Sequence, residues 1–347
     1  MKRWLLAIVG LIGILVVVVG CTGAPEKQLT AEEFYRGNTV TVSAGSAPGG
    51  GYDLQTRVIA PYWAKELGVK SLIVTNEAGG GGWKHMNYIY SGAKKDGTEV
   101  GLMQFGKAVN NQVFGLGEPA AFKSIAEFNL IGGTTSTADR LVVVVNPGSP
   151  FNSLKDMIGA KGLTGGASSL FSAAHRSEAI VKYCLGLPDF QTILGFESTS
   201  DIVLSVFRGE TSFCAYDYPT LKPNIQGGNI KPVGGGGYER LPQFPDLPAM
   251  GEVALPGTTK WIDYYNLLSI SRMMGAPPGI PEDRLEFLRQ TFQKAATSPG
   301  YLAEAEKREM EGFVLFGQEL QDSINRVVNL TPDQINEIKT GYMSYVK

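Results

Sequence analysis

Apolar and polar positions along the chain follow two periods, one typical of strands and one typical of helices. Short runs of β-branched and apolar residues predict strands at 39–42, 72–74, 99–103, 141–145, 191–194 and 264–270. Apolar residues at helical spacing predict helices at 54–67, 153–158, 172–185 and 200–208, and proline signals predict two more from 281 and 332. Strands that alternate with helices predict an α/β protein with mostly parallel sheets flanked by helices.

The 44 glycines are clustered in the loops that connect these strands and helices, at 49–51, 79–82, 165–166 and 234–237. Ligands of open parallel sheets bind at the carboxyl ends of strands, and glycine lets main-chain amides face such a ligand. The N-terminus of the following helix adds partial positive charge, so the pattern predicts an anion-binding site. We expect Asp53 to cap the helix after the first cluster.

Other uses of glycine and histidine fit the sequence less well. A phosphate-binding P-loop requires Lys directly after its last glycine, whereas Trp83 follows Gly82. Residues 166–170 lack the second glycine of a nucleophile elbow, which disfavours a serine hydrolase. His85 and His175 follow loops and are acid–base candidates, but a single histidine near a helix start is more often structural.

The N-terminus has the features of a bacterial lipoprotein signal peptide. Two basic residues precede an uncharged apolar run at 4–19, and Gly20 directly precedes Cys21. We therefore expect removal of residues 1–20 and lipidation of Cys21, which would anchor the protein to the membrane outside the cytoplasm. The alternative is an uncleaved membrane anchor, because the run is only slightly shorter than a membrane span. Residues 21–37 are predicted to be a polar tether.

Composition limits the partners and cofactors. Removing residues 1–20 leaves 327 of the 347 residues, which suits two lobes. The 31 basic and 33 acidic residues give a net charge of −2 and the basic ones are scattered, so we expect no nucleic-acid partner. Two histidines and three cysteines without metal-ligand spacing predict no metal and no cofactor. Export would permit a disulfide between Cys184 and Cys214. Cys184 lies in a helical pattern and Cys214 in a strand-like one, which favours two separate buried thiols.

Six segments carry a resemblance to a known family. They are 48–53 (PGGGYD), 76–82 (NEAGGGG), 96–98 (DGT), 150–156 (PFNSLKD), 245–252 (PDLPAMGE) and 275–281 (GAPPGIP). In order and spacing they resemble the tripartite tricarboxylate transporter receptor family, the TctC or Bug type of extracytoplasmic solute-binding protein. The resemblance implies a two-lobed fold of the type II periplasmic-binding-protein class, with the ligand cleft between the lobes. The first lobe would comprise 38–137 and about 236–347, and the second about 138–235.

The resemblance also implies that cleft loops hold a carboxylate ligand, mainly through main-chain amides and small hydroxyls. Carried onto this chain, the ligand-binding residues would be Pro48, Gly49, Gly50, Tyr52, Gly80 and Gly81 in the first lobe, and Ser168, Ser169, Ser198, Thr199 and Asp217 in the second. Two interpretations of Asp217 stay open. It meets an amine or hydroxyl of the ligand, or it caps the helix after Pro219.

Two departures from the family pattern bear on the ligand. Relatives usually carry a lysine-containing turn where this chain has Glu197, and an acid there disfavours a tricarboxylate such as citrate. Trp83, Lys84 and His85 are bulkier than the residues usual after the glycine loop, and Lys84 either pairs with a carboxylate or is solvated. We therefore expect the cleft to suit a monocarboxylate, an aromatic acid or an amino-acid-like solute better than citrate, within a ligand class of small organic carboxylates that includes di- and tricarboxylates.

The expected function is that of a solute receptor without enzymatic activity. The resemblance implies that the lobes close on the solute and that the closed protein delivers it to an integral membrane permease. One alternative is a ligand sensor that presents its closed form to a membrane histidine kinase. A less favoured alternative is an exported serine hydrolase that uses Ser168 and His175.

Overall fold

The computed structural model describes residues 29–117, 119–308 and 310–346. The predicted signal peptide at 1–20 and the lipidation of Cys21 lie outside these residues. Within them, no helix is both long and apolar enough to cross a membrane.

The strands and helices of the described residues follow the predicted alternation. The strands are β1 (Thr39–Ala44), β2 (Ser71–Asn76), β3 (Glu99–Met103), β4 (Asn129–Thr135), β5 (Leu141–Val145), β6 (Thr164–Ala167), β7 (Gln191–Leu194), β8 (Phe213–Asp217), β9 (Lys231–Gly235) and β10 (Ile270–Ala276). The α-helices are α1 (Ala31–Gly37), α2 (Gly51–Leu67), α3 (Trp83–Asn87), α4 (Phe105–Phe114), α5 (Leu154–Met157), α6 (Ala173–Cys184), α7 (Thr199–Arg208), α8 (Tyr218–Gln226), α9 (Met250–Val253), α10 (Lys260–Leu268), α11 (Glu282–Ala296), α12 (Pro299–Lys307), α13 (Gly317–Val328) and α14 (Pro332–Met343).

The first lobe is built on a five-stranded sheet of order β2-β1-β3-β10-β4. Strand β1 runs parallel to β2 and β3, whereas β10 runs antiparallel to β3 and β4. Helices α2 and α11 pack together against this sheet, where the rings of Trp63 and Phe292 meet edge to face at 4.8 Å. Their apolar faces bury the core that holds the loops at the ends of β1 and β2 in place.

The second lobe contains the sheet β8-β5-β9 and the parallel pair β6-β7. Strand β5 is antiparallel to both of its neighbours. The sheets of both lobes are thus mixed rather than mostly parallel. The chain enters the second lobe at β5 and returns to the first lobe at β10. Each of these strands runs antiparallel to its neighbours.

Apolar packing continues from one lobe into the other. One buried cluster includes Phe105 of the first lobe together with Val143 and Phe171 of the second. Helices α9, α10 and α14 contact α6, and Val346 forms a β-bridge with Thr192 of β7. Parts of the segment after 235 therefore pack on the second lobe, and the exact lobe boundaries stay a prediction.

Two sequence predictions are wrong. Residues 264–270 were expected as a strand, but α10 covers most of them because Trp261, Ile262 and Tyr265 are buried at helical spacing. Residues 31–37 were expected as part of the tether, but they form α1, with Tyr35 fully buried. The Tyr35 hydroxyl donates to the Gly97 carbonyl at 3.2 Å, so α1 belongs to the first lobe.

Cys184 and Cys214 are buried free thiols, as the helical and strand patterns predict. Burial raises the pKa of Cys184 to about 12, which keeps this thiol protonated and unreactive at neutral pH.

Candidate functional site

The first glycine loop connects β1 to α2 and is organised by Asp53. Gly50 is the N-cap, so Asp53 does not cap the helix as predicted but lies at its third position. The nearly buried carboxylate accepts hydrogen bonds from the Gly49 amide at 2.8 Å and the Asn76 side chain at 2.9 Å, and it pairs with Arg57 at 2.8 Å. Burial alone would raise the pKa of Asp53, but the bonds from Arg57, Gly49 and Asn76 outweigh it and lower the pKa.

The second glycine loop, 79–82, lies beside the first and has positive φ at every residue. A Cβ on Gly82 would lie 2.8 Å from the Gln104 side chain, whose amide donates to the Gly45 carbonyl at 2.9 Å. The space that a Cβ on Gly81 would need is occupied by the ammonium group of Lys107. Glycine is thus required here because side chains from α4 and the residue before it approach the backbone closely.

The facing loop of the second lobe, 168–172, is fixed by a buried histidine. Phe171 has a φ of 59°, a left-handed conformation that side chains rarely adopt. Its amide donates to His175 Nδ1 at 3.0 Å and its ring stacks on Phe114 at 3.9 Å. The strained conformation turns the Phe171 carbonyl toward Arg176, which donates to it at 3.0 Å.

The cleft cavity, of about 450 Å³, lies between these loops and is lined by both lobes. The first lobe contributes Tyr52, Trp83, Gln104, Gly106, Lys107, Asn110 and Leu116, and the second contributes 169–173 and Arg176. None of these residues is Asp or Glu, whereas two are cations. The cavity is therefore suited to an anionic ligand.

The mixed-charge cavity, of about 620 Å³, lies on the other side of the start of α2. Its lining includes three basic residues, Arg140, Lys222 and Arg272, and three acidic residues, Asp217, Glu306 and Glu311. Arg272 lies over the Tyr52 ring at 4.9 Å and donates to Gln55 at 2.6 Å, so Tyr52 and Arg272 separate the two cavities.

Asp217 stands at the N-cap position of α8, but its side chain makes no capping hydrogen bond. It accepts a hydrogen bond from the Ser136 hydroxyl at 2.7 Å instead. Burial raises the pKa of Asp217. The capping interpretation is therefore wrong, and Asp217 connects the second lobe to the segment that crosses between the lobes.

A third cavity, of about 670 Å³, is larger than these two. This hinge cavity is lined by Thr135 and Thr137 of the crossing segment and by residues of α10 and α13, such as Asn266 and Glu319. None of the glycine loops reaches it. The cleft cavity is the better candidate because the loops at the strand ends converge there.

The structure brings together only part of the predicted site. Tyr52 and Ser169 line the cleft cavity, and Asp217 lines the mixed-charge cavity. Eight predicted residues line neither cavity: Pro48, Gly49, Gly50, Gly80, Gly81, Ser168, Ser198 and Thr199. Ser198 caps α7 by accepting from the Asp201 amide at 3.2 Å. The loop 80–81 still reaches the edge of the cleft cavity, because the Lys107 ammonium lies over Gly81.

Sequence reasoning missed the polar side chains that line the cleft cavity, namely Gln104, Lys107, Asn110 and Arg176. They lie on or just before α4 and α6, where a polar residue is not distinguishable from a solvated surface position. Lys84, which was singled out instead, pairs with Glu77 at 3.1 Å outside the cavity.

Both histidines are structural. His85 is fully buried, and its Nε2 lies 2.8 Å from the Ser43 hydroxyl. Burial lowers the pKa of His85 and of His175 to about 4, so both rings are neutral at pH 7. His175 is also fully buried and packs against the rings of Tyr342 and Tyr345, so the geometry does not support a hydrolase that uses it.

Solved structures with the same fold are solute-binding proteins. A TctC solute-binding protein from Polaromonas has a TM-score of 0.66 and 19% identity, with 86% of this chain and 98% of that chain covered. Rpa4515 of R. palustris, solved with adipate, has a TM-score of 0.61 and 19% identity over 88% and 97% of the two chains. MatC of Rhodopseudomonas palustris, solved with bound malate, has a TM-score of 0.56 and 19% identity over 86% and 98%. This likeness establishes the two-lobed periplasmic-binding fold.

Sequence comparison gives the family. The UPF0065 protein in the tcbD–tcbE intergenic region of Pseudomonas sp. strain P51 is 22% identical over 260 residues, which cover 73% of this chain and 72% of that protein. The profile described as tripartite tricarboxylate transporter family receptor, TctC, matches residues 55–339. Since that match covers most of the chain, the protein belongs to the TctC family of solute-binding receptors.

Proposed function

We propose that this protein captures a small organic carboxylate in the cleft cavity and delivers it to a membrane permease. The observation that carries the proposal is a cavity between two lobes whose described lining holds two cations and no acid. Relatives of the same fold were solved with adipate and with malate, which are both carboxylates. Tyr52 and Trp83, which directly follow the two glycine loops, and Ser169 line the space where such a ligand would bind.

Capture would proceed by closure of the lobes. The segment 135–141 crosses between them and is held by a hydrogen bond from the Ser136 amide to the Ser269 carbonyl at 3.3 Å. The Ala138 amide donates to Asn266 at 2.6 Å in the same region. A ligand that contacts both lobes stabilises the closed state by its differential affinity for that state. The permease would then recognise the closed surface.

The protein is proposed to act outside the cytoplasmic membrane, attached to lipid through Cys21. The signal-peptide pattern and the family support this location. A receptor has no chemistry to perform, and the buried, neutral histidines fit a role in binding alone.

A thermal-shift screen tests the capture step. Adipate, malate, glutamate, benzoate and citrate are added to the purified protein, each beside the corresponding amide as a neutral control. A ligand at 100 times its Kd adds about 2.7 kcal/mol to stability, so one or more acids should raise the Tm by several degrees. Failure of every acid to raise the Tm would contradict the proposal.

Uptake of the labelled acid by cells tests the delivery step. Deleting the gene should abolish uptake at low acid concentration, and restoring it should return uptake. A strain that keeps normal uptake but loses transcription induced by the acid would support the sensor alternative instead.

A further inference from the structure

Lys107 of α4 has no ion-pair partner in the described part of the chain. Its side chain is exposed, it lines the cleft cavity, and its ammonium group lies over Gly81. Among the described residues, no carboxylate lies within ion-pair distance of it. The acids that flank the two glycine loops pair with other cations, Glu77 with Lys84 and Asp53 with Arg57.

Arg176 of α6 faces the same cavity from the second lobe and is only partly satisfied. Its side chain is 9% exposed, and Nη1 donates to Asn110 at 3.1 Å and to the Phe171 carbonyl at 3.0 Å. Its Nε is buried without a hydrogen-bond partner. A buried donor without an acceptor costs stability, so such a group in a cavity lining indicates a missing acceptor.

Trp83, on the first lobe, is a second lining residue with a buried donor that lacks a partner. It is 4% exposed, it lines the cleft cavity, and its indole Nε1 is buried without a partner. The start of α6 adds to the positive potential, because Ser172 is its N-cap and Ala173 lines the cavity. Among the described residues, three side chains of this lining have a donor without a partner: the Lys107 ammonium, the Arg176 Nε and the Trp83 indole.

From these observations we infer that Lys107 and Arg176 bind the ligand's carboxylate directly, one from each lobe, with the Trp83 indole as a further donor. The inference rests on the proposed function but differs from the binding by main-chain amides that the family resemblance implies. Cationic side chains that recognise a carboxylate require the ligand to be ionised, so they select acids against amides and esters.

The arrangement also explains how a ligand would join the lobes. Arg176 already reaches from α6 to Asn110 of α4, across the cleft. A carboxylate that accepts from Arg176 and Lys107 together adds a second connection between the same two helices. The pair therefore determines both specificity and closure.

Calorimetry with charge variants tests the inference. The probe is the acid among adipate, malate, glutamate and benzoate that binds the wild type most tightly, together with its amide. Lys107→Gln should weaken binding of the acid about tenfold, the effect of losing one charge-assisted hydrogen bond. Lys107→Arg should keep most of the affinity. Lys84→Gln is the matched control, since Lys84 is an exposed lysine beside the same glycine loop but outside the cavity.

Binding of the amide of the same acid distinguishes the loss of a charge contact from a general effect of the substitution on the cavity. Lys107→Gln should change the weak affinity for the amide by less than twofold. Added salt should weaken binding of the acid more in the wild type than in the variant. Arg176→Lys is tested in the same way after its Tm without ligand shows that it folds. An acid that binds Lys107→Gln within twofold of the wild type would overturn the inference, as would equal losses in Lys107→Gln and Lys107→Arg.

The two proposals fail in different ways. If no acid binds the wild type, the proposed function is wrong and the cation pair falls with it. If an acid binds the wild type and all Lys107 variants equally, the receptor function stands and only the cation pair is rejected.

Discussion

Asp53→Asn tests whether one carboxylate organises the first glycine loop. The Asp53 carboxylate is 2% exposed and accepts from Gly49, Asn76 and Arg57. Hydrogen bonds to a charged group contribute about 1.5–3 kcal/mol each, but the Gly49 amide lies in an exposed loop and the Arg57 side chain is 48% exposed, so both can be hydrated instead. We therefore expect a total loss of about 2–3 kcal/mol. For a chain of this size, whose unfolding entropy is about 0.7 kcal/mol per kelvin, that lowers the Tm by roughly 3–4 °C.

Thermal unfolding at pH 7 measures this loss, and calorimetry measures the accompanying loss of ligand affinity as the loop loosens. Asp333→Asn is the control, since Asp333 is an exposed acid in the first turn of α14 and should change stability by less than about 0.5 kcal/mol. The pKa of Asp53 is lowered in the folded protein, so its contribution is present above the ordinary pKa and is lost as the pH falls through the folded value. An Asp53→Asn protein that melts like the wild type at pH 7 would refute the reasoning.

Four further predictions concern groups that burial or backbone geometry constrains. The buried His85 and His175 stay neutral to about pH 4, so the free energy of unfolding should fall as the pH drops from 6.5 toward 4, in a urea titration at each pH. Burial raises the pKa of Glu178 to about 8, so the wild type should lose stability relative to Glu178→Gln as the pH rises from about 4.5 to 8. Gly81→Ala places a Cβ where Lys107 lies, at a φ of 60°, and should weaken acid binding several-fold while costing about 1–2 kcal/mol of stability. Asp217→Ala removes the hydrogen bond from Ser136, worth about 1 kcal/mol, and should lower the Tm slightly without changing the ranking of acids in the thermal-shift screen, because Asp217 lines the mixed-charge cavity and not the cleft cavity.

Each of these predictions has a contrary outcome. A flat stability profile between pH 6.5 and 4 would mean that the two histidines titrate normally. Parallel profiles of the wild type and Glu178→Gln from pH 5 to 8 would mean that Glu178 is ionised in the fold. A Gly81→Ala protein with unchanged affinity would place the ligand away from the second glycine loop. A changed ranking of acids in Asp217→Ala would place part of the ligand in the mixed-charge cavity.

Much of the fold follows from local patterns. The strands β1, β3, β5 and β7 were predicted within two residues at either end, because short β-branched runs between glycine loops have few other solutions. The prediction of a strand at 264–270 was wrong because aromatic residues favour strands locally, while burial of Trp261 and Tyr265 against the second lobe favours a helix. Tertiary packing decided the outcome there, and no local pattern records it.

The sheet direction and the site were only partly accessible from sequence. The alternation of strands and helices predicts parallel neighbours, but it does not reveal which strand enters a lobe from the other one, so it does not predict that β5 and β10 run antiparallel to their neighbours. Loop glycines pointed to the cleft, and Tyr52 and Ser169, which follow such loops, line its cavity. Lys107 and Arg176 line the same cavity because α4 lies near α6. The hydrogen bond between Arg176 and Asn110, which are 66 positions apart in the sequence, connects these two helices.

The most direct test of the central claim is a crystal structure of the protein with the acid that gives the largest thermal shift. The account predicts that the acid lies in the cleft cavity, between Tyr52 and the loop that contains Ser169, and contacts both lobes. An acid bound in the hinge cavity beside Thr135 and Asn266, or in contact with only one lobe, would contradict it.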